Sequence, residues 1–186
     1  MLPVIVIIGA LVLLIGAVIA IYNGLVQKRL RVDEAWAQIE VQLKRRWDLI
    51  PNLVNSVKGY MEHEEAVLTR VTEARASAVS AGAQGPVAQA QAENALTGTL
   101  RSLFSVMENY PQLRANENVL KLQEELTTTE NQISFSRQHF NATVRDYNQA
   151  IATFPSLLLA GPFGFQSRDF FEAPEQANEA PEVRLR

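Results

Sequence analysis

Glu62, His63, Glu64 and Glu65 stand in a row, and theirs is the one cluster in the chain with metal-ligand chemistry. Di-iron and di-manganese bundles use Glu-x-x-His pairs from facing helices, and zinc proteases use His-Glu-x-x-His. The chain contains neither pattern. Neighbouring residues on a helix diverge by roughly 100°, so no more than about two of the four could reach one ion. These residues therefore read as a solvated helical face, and a metal-dependent enzyme built on His63 with Glu62 or Glu64 is the weakest functional reading. His139, beside Phe140, falls on the polar side of its helix. Cys is absent, no G-x-S-x-G elbow occurs, and the glycines at 161 and 164 lack the Lys-Ser/Thr of a phosphate loop. The expectation is no catalytic residue, no cofactor, no metal and no small-molecule substrate.

A second set of residues has chemistry of a different kind. Lys44, Arg45, Arg46 and Asp48 crowd Pro51 and Asn52, while Glu130, Arg137, Asn141 and Asn148 recur along one edge of a later segment in steps of four and seven. Polar groups beside an apolar seam can fix helix register through charge-assisted hydrogen bonds. Arg45 or Arg46 paired with Glu130 or Glu125 would do this. The plainer alternative is that all of them are ordinary flanking charges, worth little when exposed.

The elements that would position these groups are helical throughout. Residues 4–21 carry no polar side chain, and the first charge is Lys28. At about 1.5 Å per residue such a helix covers the roughly 30 Å hydrocarbon core of a bilayer. Val4, Ile8, Leu11, Leu14, Ile15 and Ile19 would face lipid, with Tyr22 at the interface. A cleaved signal peptide is the rival reading, but the basic n-region is missing and the apolar run is longer than usual. Lys28, Arg29 and Arg31 follow the span and can contact anionic headgroups. By the positive-inside rule they keep the carboxyl-terminal part in the cytoplasm, with the amino terminus outside.

Beyond Tyr22, apolar residues recur at Val32, Trp36, Ile39, Leu43, Trp47, Ile50, Val54, Val57 and Met61, the stripe of an amphipathic helix. Pro51 predicts a kink, or a break with Asp48 as the next cap. The stripe resumes over residues 68–78 and dissolves at residues 80–86, a connector. Pro86 opens another helix, with Leu96, Leu100, Leu103, Met107 and Tyr110 in phase until Pro111 ends it. In the last helix, Val119, Leu126, Ile133, Phe140, Tyr147 and Phe154 keep sevenfold spacing, with Leu122, Thr129, Val144 and Ile151 between them. That pattern specifies packing against other long helices. The fold class is all-α: one transmembrane helix followed by an antiparallel, up-and-down bundle. The expected organisation is an anchor at 1–22, a bundle at 23–172 with an aromatic segment at 154–172, and a disordered tail at 173–186. The aromatic segment either covers the bundle end or presents Phe163, Phe165, Phe170 and Phe171 as a docking surface.

Several of these stretches together resemble a known family. Tyr22-Asn23, Ala35-Trp36, VQLKRRWDLIPNLV at 41–54, and Val57-Lys58-Gly59-Tyr60 are similar to the amino-terminal signature of the LemA family. Tyr110-Pro111-Gln112-Leu113, LQEEL at 122–126, Asn141, Tyr147-Asn148, Phe154-Pro155 and Phe170-Phe171 continue the resemblance in order. It implies a bacterial inner-membrane protein with one amino-terminal span and a helical bundle, and implies little about activity.

A net charge of -3 excludes a general nucleic-acid binder, which needs a basic face. The functional expectation is a non-enzymatic scaffold on the inner membrane, whose partners are the bilayer and either further copies of itself or another membrane protein. The alternative is an accessory subunit of another membrane enzyme or envelope-stress system.

Overall fold

The structure, a computed structural model, describes residues 2–171, so the tail expected at 173–186 and Glu172 lie outside the described residues. Among those described there is no strand. Helix α1 runs Leu2–Lys58, α2 Glu65–Ala81, α3 Pro86–Met107, α4 Pro111–Arg114, α5 Glu117–Ala152 and α6 Leu157–Ala160.

Pro51 lies inside α1 and does not break it, and Asp48 is not a cap but pairs with Lys44 one turn earlier. The carbonyl of Trp47 loses its helical donor to the proline ring, and Arg75 of α2 replaces it, Nε donating at 2.6 Å. At the other junctions local chemistry matches the geometry. Gly85, at φ +97°, makes the turn into Pro86, a backbone state that L side chains resist. Pro111 starts α4 rather than ending α3, which already stops at Met107. Asn116 caps α5, its Oδ1 accepting from the backbone N–H groups of Asn118 and Val119 at 3.1 and 3.3 Å. The acidic residues expected on one helix face are divided: Glu62–Glu64 form a single 3-10 turn and Glu65 begins α2.

The contacts divide the chain into two compact units. The first combines residues 1–39 with 138–169. Here Trp36 packs on Phe140 and Tyr22 on Phe163, so the end of α5 runs antiparallel to α1. Leu25, Val32, Ala35 and Ile39 are buried, as are Val144, Tyr147, Ala160 and Phe165. Residues 2–17 are open on every side. By length and composition this stretch of α1 is apolar enough to cross a membrane.

The second unit, residues 40–137 with 170–171, is a four-helix bundle of the end of α1, α2, α3 and the first half of α5. Its core includes Ile50, Leu53 and Val57 of α1, Val71 of α2, Leu96 and Leu103 of α3, and Leu126 of α5. The α1 seam sits one residue from its expected place at three points: Ala35, Arg46 and Leu53 are buried, whereas Trp36, Trp47 and Val54 are its half-covered shoulders. Phe154 leaves the heptad pattern altogether, because α5 ends at Ala152 and Phe154 is 79% exposed.

Candidate functional site

Burial of Arg46 follows from its phase on α1: Ile39, Leu43, Arg46, Ile50 and Leu53 succeed one another in steps of four and three. Arg46 is 1% exposed, and Glu93 of α3 is fully buried opposite it. Arg46 Nη2 bonds Glu93 Oε2, and Nη1 bonds Glu130 Oε2 of α5 and Thr97 Oγ1 of α3, the latter at 3.0 Å. Thr97 donates in turn to Glu130 Oε1 at 3.1 Å. The other Glu93 oxygen accepts from Trp47 Nε1 at 2.9 Å and from Gln89 Nε2 at 2.7 Å, and the same Gln89 nitrogen reaches the carbonyl of Ala78 on α2 at 3.1 Å. All four helices of the bundle are thereby joined through one buried carboxylate and one buried guanidinium.

Arg137 supplies the second cation. Both of its Nη atoms donate to Asn94 Oδ1 at 3.3 Å, and its guanidinium lies 4.6 Å from the centre of the Phe171 ring. Burial lowers its pKa, Glu130 raises it, Arg46 lowers it and Glu93 raises it; an arginine stays charged regardless. Two cations thus balance two carboxylates. A groove of about 170 Å³, lined by Thr97, Leu100, Phe104 and Leu126 among others, opens beside Glu130, whose side chain is 42% exposed. Glu93 has no such access to solvent.

This arrangement can hold a register. Each carboxylate oxygen of Glu93 already accepts from a donor. A buried charge needs partners of good geometry to be tolerated, and a shift of one helix against another would separate them. His63 and His139 are both exposed, and among the described residues no group of three His, Cys, Asp or Glu side chains is placed to hold a metal ion.

The remaining sequence-derived positions separate. Arg45 and Asp48 are exposed, so of the two arginines it is Arg46 that bonds Glu130, and Glu125 is not its acceptor. Asn148 does not join helices: it clamps the extended chain after Gly164, its side chain exchanging two 2.9 Å hydrogen bonds with the backbone of Arg168. Asn141 is half-buried on the same helix. Asn52 is exposed and reaches the carbonyl of Asp48 at 3.4 Å. Lys28 is half-buried and Arg31 exposed, while Arg29 lies 5.5 Å over the Phe165 ring. Of the aromatic residues expected to dock, Phe165 and Phe171 are core, and only Phe163 and Phe170 are exposed. Five groups were missed from sequence: Arg75, Gln89, Glu93, Asn94 and Thr97. The signal existed for one of them, since Glu93 precedes Leu96, Leu100, Leu103 and Met107 in perfect phase with the α3 stripe.

An unburied apolar helix joined to a helical bundle with an ion-paired centre defines a membrane-associated, all-α protein. The profile of the LemA family matches residues 35–185, and the chain belongs to the LemA family. It is similar to the magnetosome protein MamQ of Magnetospirillum gryphiswaldense, at 26% identity over 87% of this chain and 68% of that protein. It is also similar to the magnetosome protein MamQ 2 of Paramagnetospirillum magneticum, at 23% identity over 88% of this chain and 69% of that protein. Protein LemA of Metamycoplasma hominis is 25% identical over 82% of this chain and 69% of its own length.

Proposed function

We propose that the protein is a non-enzymatic scaffold, held on the inner membrane by residues 4–21 and acting through self-association or by binding another membrane protein. The observation that carries this reading is the Arg46–Glu93–Glu130 network. The most polar interior of the chain is spent on locking four helices together, with its inner carboxylate fully enclosed, which is the chemistry of a rigid framework. Relatives named as differently as magnetosome protein and LemA align along more than four fifths of the chain, which fits a framework better than one fixed reaction. Crosslinking in native membranes followed by mass spectrometry tests it. A ladder of homomultimers, or one recurrent membrane partner, is expected; a uniformly monomeric protein crosslinked to nothing would refute the scaffold.

The basic residues Lys28, Arg29 and Arg31 after the span favour an outside amino terminus and a cytoplasmic bundle. The chain has no Cys, so Ser80→Cys introduces a unique and exposed thiol. In intact cells it should resist a membrane-impermeant maleimide and react fully after lysis. Labelling before lysis would reverse the orientation.

A further inference from the structure

The first unit ends in an apolar surface that its own fold does not cover. Phe154, Leu157, Leu158 and Phe163 are each more than half exposed, and residues 147–167 contain no charge at all. Their position is fixed by contacts within the unit. The ring of Phe163 meets Tyr22, the residue that closes the apolar run of α1, with centroids 5.2 Å apart and the planes at 62°. Val18 and Ile21 are half-buried, whereas residues 2–17 are open. Partial burial therefore extends about one turn, roughly 5 Å, into the apolar run itself.

Charge returns on both sides at one level. Arg29 lies over Phe165, and Arg168 bonds Asp33 at 3.0 Å while Asn148 holds the Arg168 backbone. A belt of charged groups thus borders an uncharged crown, the distribution of a segment whose tip sits among acyl chains and whose rim sits among headgroups. The turn at Gly164, φ +72°, lets the chain reverse between the two zones.

We propose that residues 154–163 form a second membrane-inserting element, a short wedge that enters the headgroup–acyl boundary of the leaflet where the α1 span emerges. The occupant of this surface is lipid, because the surface is continuous with the lipid-facing run that ends at Tyr22. The proposal rests on residues 4–21 crossing a bilayer. Two points of attachment in one unit, the span and the wedge, fix the orientation of that unit relative to the membrane plane, which a single helix free to swivel cannot do.

The test uses full-length protein in phosphatidylcholine–phosphatidylglycerol vesicles, with one environment-sensitive thiol label at a time on Leu158→Cys, Leu13→Cys or Leu120→Cys, all exposed positions. Nitroxide lipids carry the quencher either near the headgroup or near the chain end. The Leu158 label should shift to the blue and lose most of its emission to the shallow nitroxide. The Leu13 label should be quenched best by the deep one, and the Leu120 label by neither. A quenched Leu13 label beside an unquenched Leu158 label would overturn the wedge while leaving the span intact. Leu158 emission that instead changes on dilution with unlabelled protein would give the surface to a second copy, also overturning it. An unquenched Leu13 label would remove the span and the wedge together.

Discussion

Glu93→Ala is expected to lower the unfolding free energy by about 3–5 kcal/mol, the cost of leaving a buried charge without its partner. The measurement is urea denaturation of the detergent-solubilised protein, followed by far-UV circular dichroism. Arg46 is 1% exposed, so water cannot replace the lost carboxylate, and the charged acceptor that remains, Glu130, reaches Nη1 and not the Nη2 that faced Glu93. Trp47 Nε1 and Gln89 Nε2 lose an acceptor in the same step. Glu130→Ala should cost much less, roughly 1 kcal/mol, because its side chain is 42% exposed and water enters through the adjoining groove. The double variant Arg46→Met, Glu93→Leu should recover a large part of the loss, since two apolar side chains carry no desolvation penalty. Equal effects of the Glu93 and Glu130 substitutions would show that burial does not govern the network.

Phe171→Ala should be the most damaging apolar truncation, costing about 3–5 kcal/mol for the buried ring. Its contact with the Arg137 guanidinium at 4.6 Å adds up to about 1–2 kcal/mol of cation–π attraction in a desolvated site. The neighbouring Phe170 is 38% exposed and Phe171 fully buried, so Phe170→Ala serves as the control and should cost about 1 kcal/mol or less. The same denaturation experiment separates them. If both truncations cost the same small amount, residues 170–171 do not contribute to the bundle core and the order of stability within the chain must be redrawn. Consecutive residues in extended chain point to opposite faces, which is why two adjacent phenylalanines with one composition differ so much in energetic weight.

Arg137 is shared between the bundle and the chain that returns after α5: Asn94 fixes its plane and Phe171 covers its face. An aromatic residue far along the sequence therefore screens the same charge group that Arg46, Glu93 and Glu130 complete. Within the first unit, Asn148 plays the corresponding part by holding Arg168. The return chain belongs to the packing of both units, although nothing in its composition resembles a helix stripe.

Periodicity alone determined the helices, since burying one face of a helix demands apolar residues every three or four positions whatever lies opposite. The unbroken apolar run of α1, the seam of α3 and most of the α5 heptads were legible for that reason. The family resemblance was legible too, because LKRRWDLIP holds an order of charges and apolar residues that an arbitrary helix would not repeat. What lies opposite a residue is another matter. Trp36, Trp47 and Val54 satisfy the helical period as well as Ala35, Arg46 and Leu53 do, and the choice between neighbours one residue apart depends on where the facing helices approach. A hydrophobicity reading favours the tryptophan, yet the tertiary structure buries the arginine, because Glu93 and Glu130 from two other helices supply the countercharge that α1 cannot. The fate of Pro51 was settled in the same way, by Arg75 of α2 bonding the carbonyl that the proline leaves open. Local sequence specifies which faces are apolar; partner charges and hydrogen-bond donors brought from distant segments decide which polar groups can be buried among them.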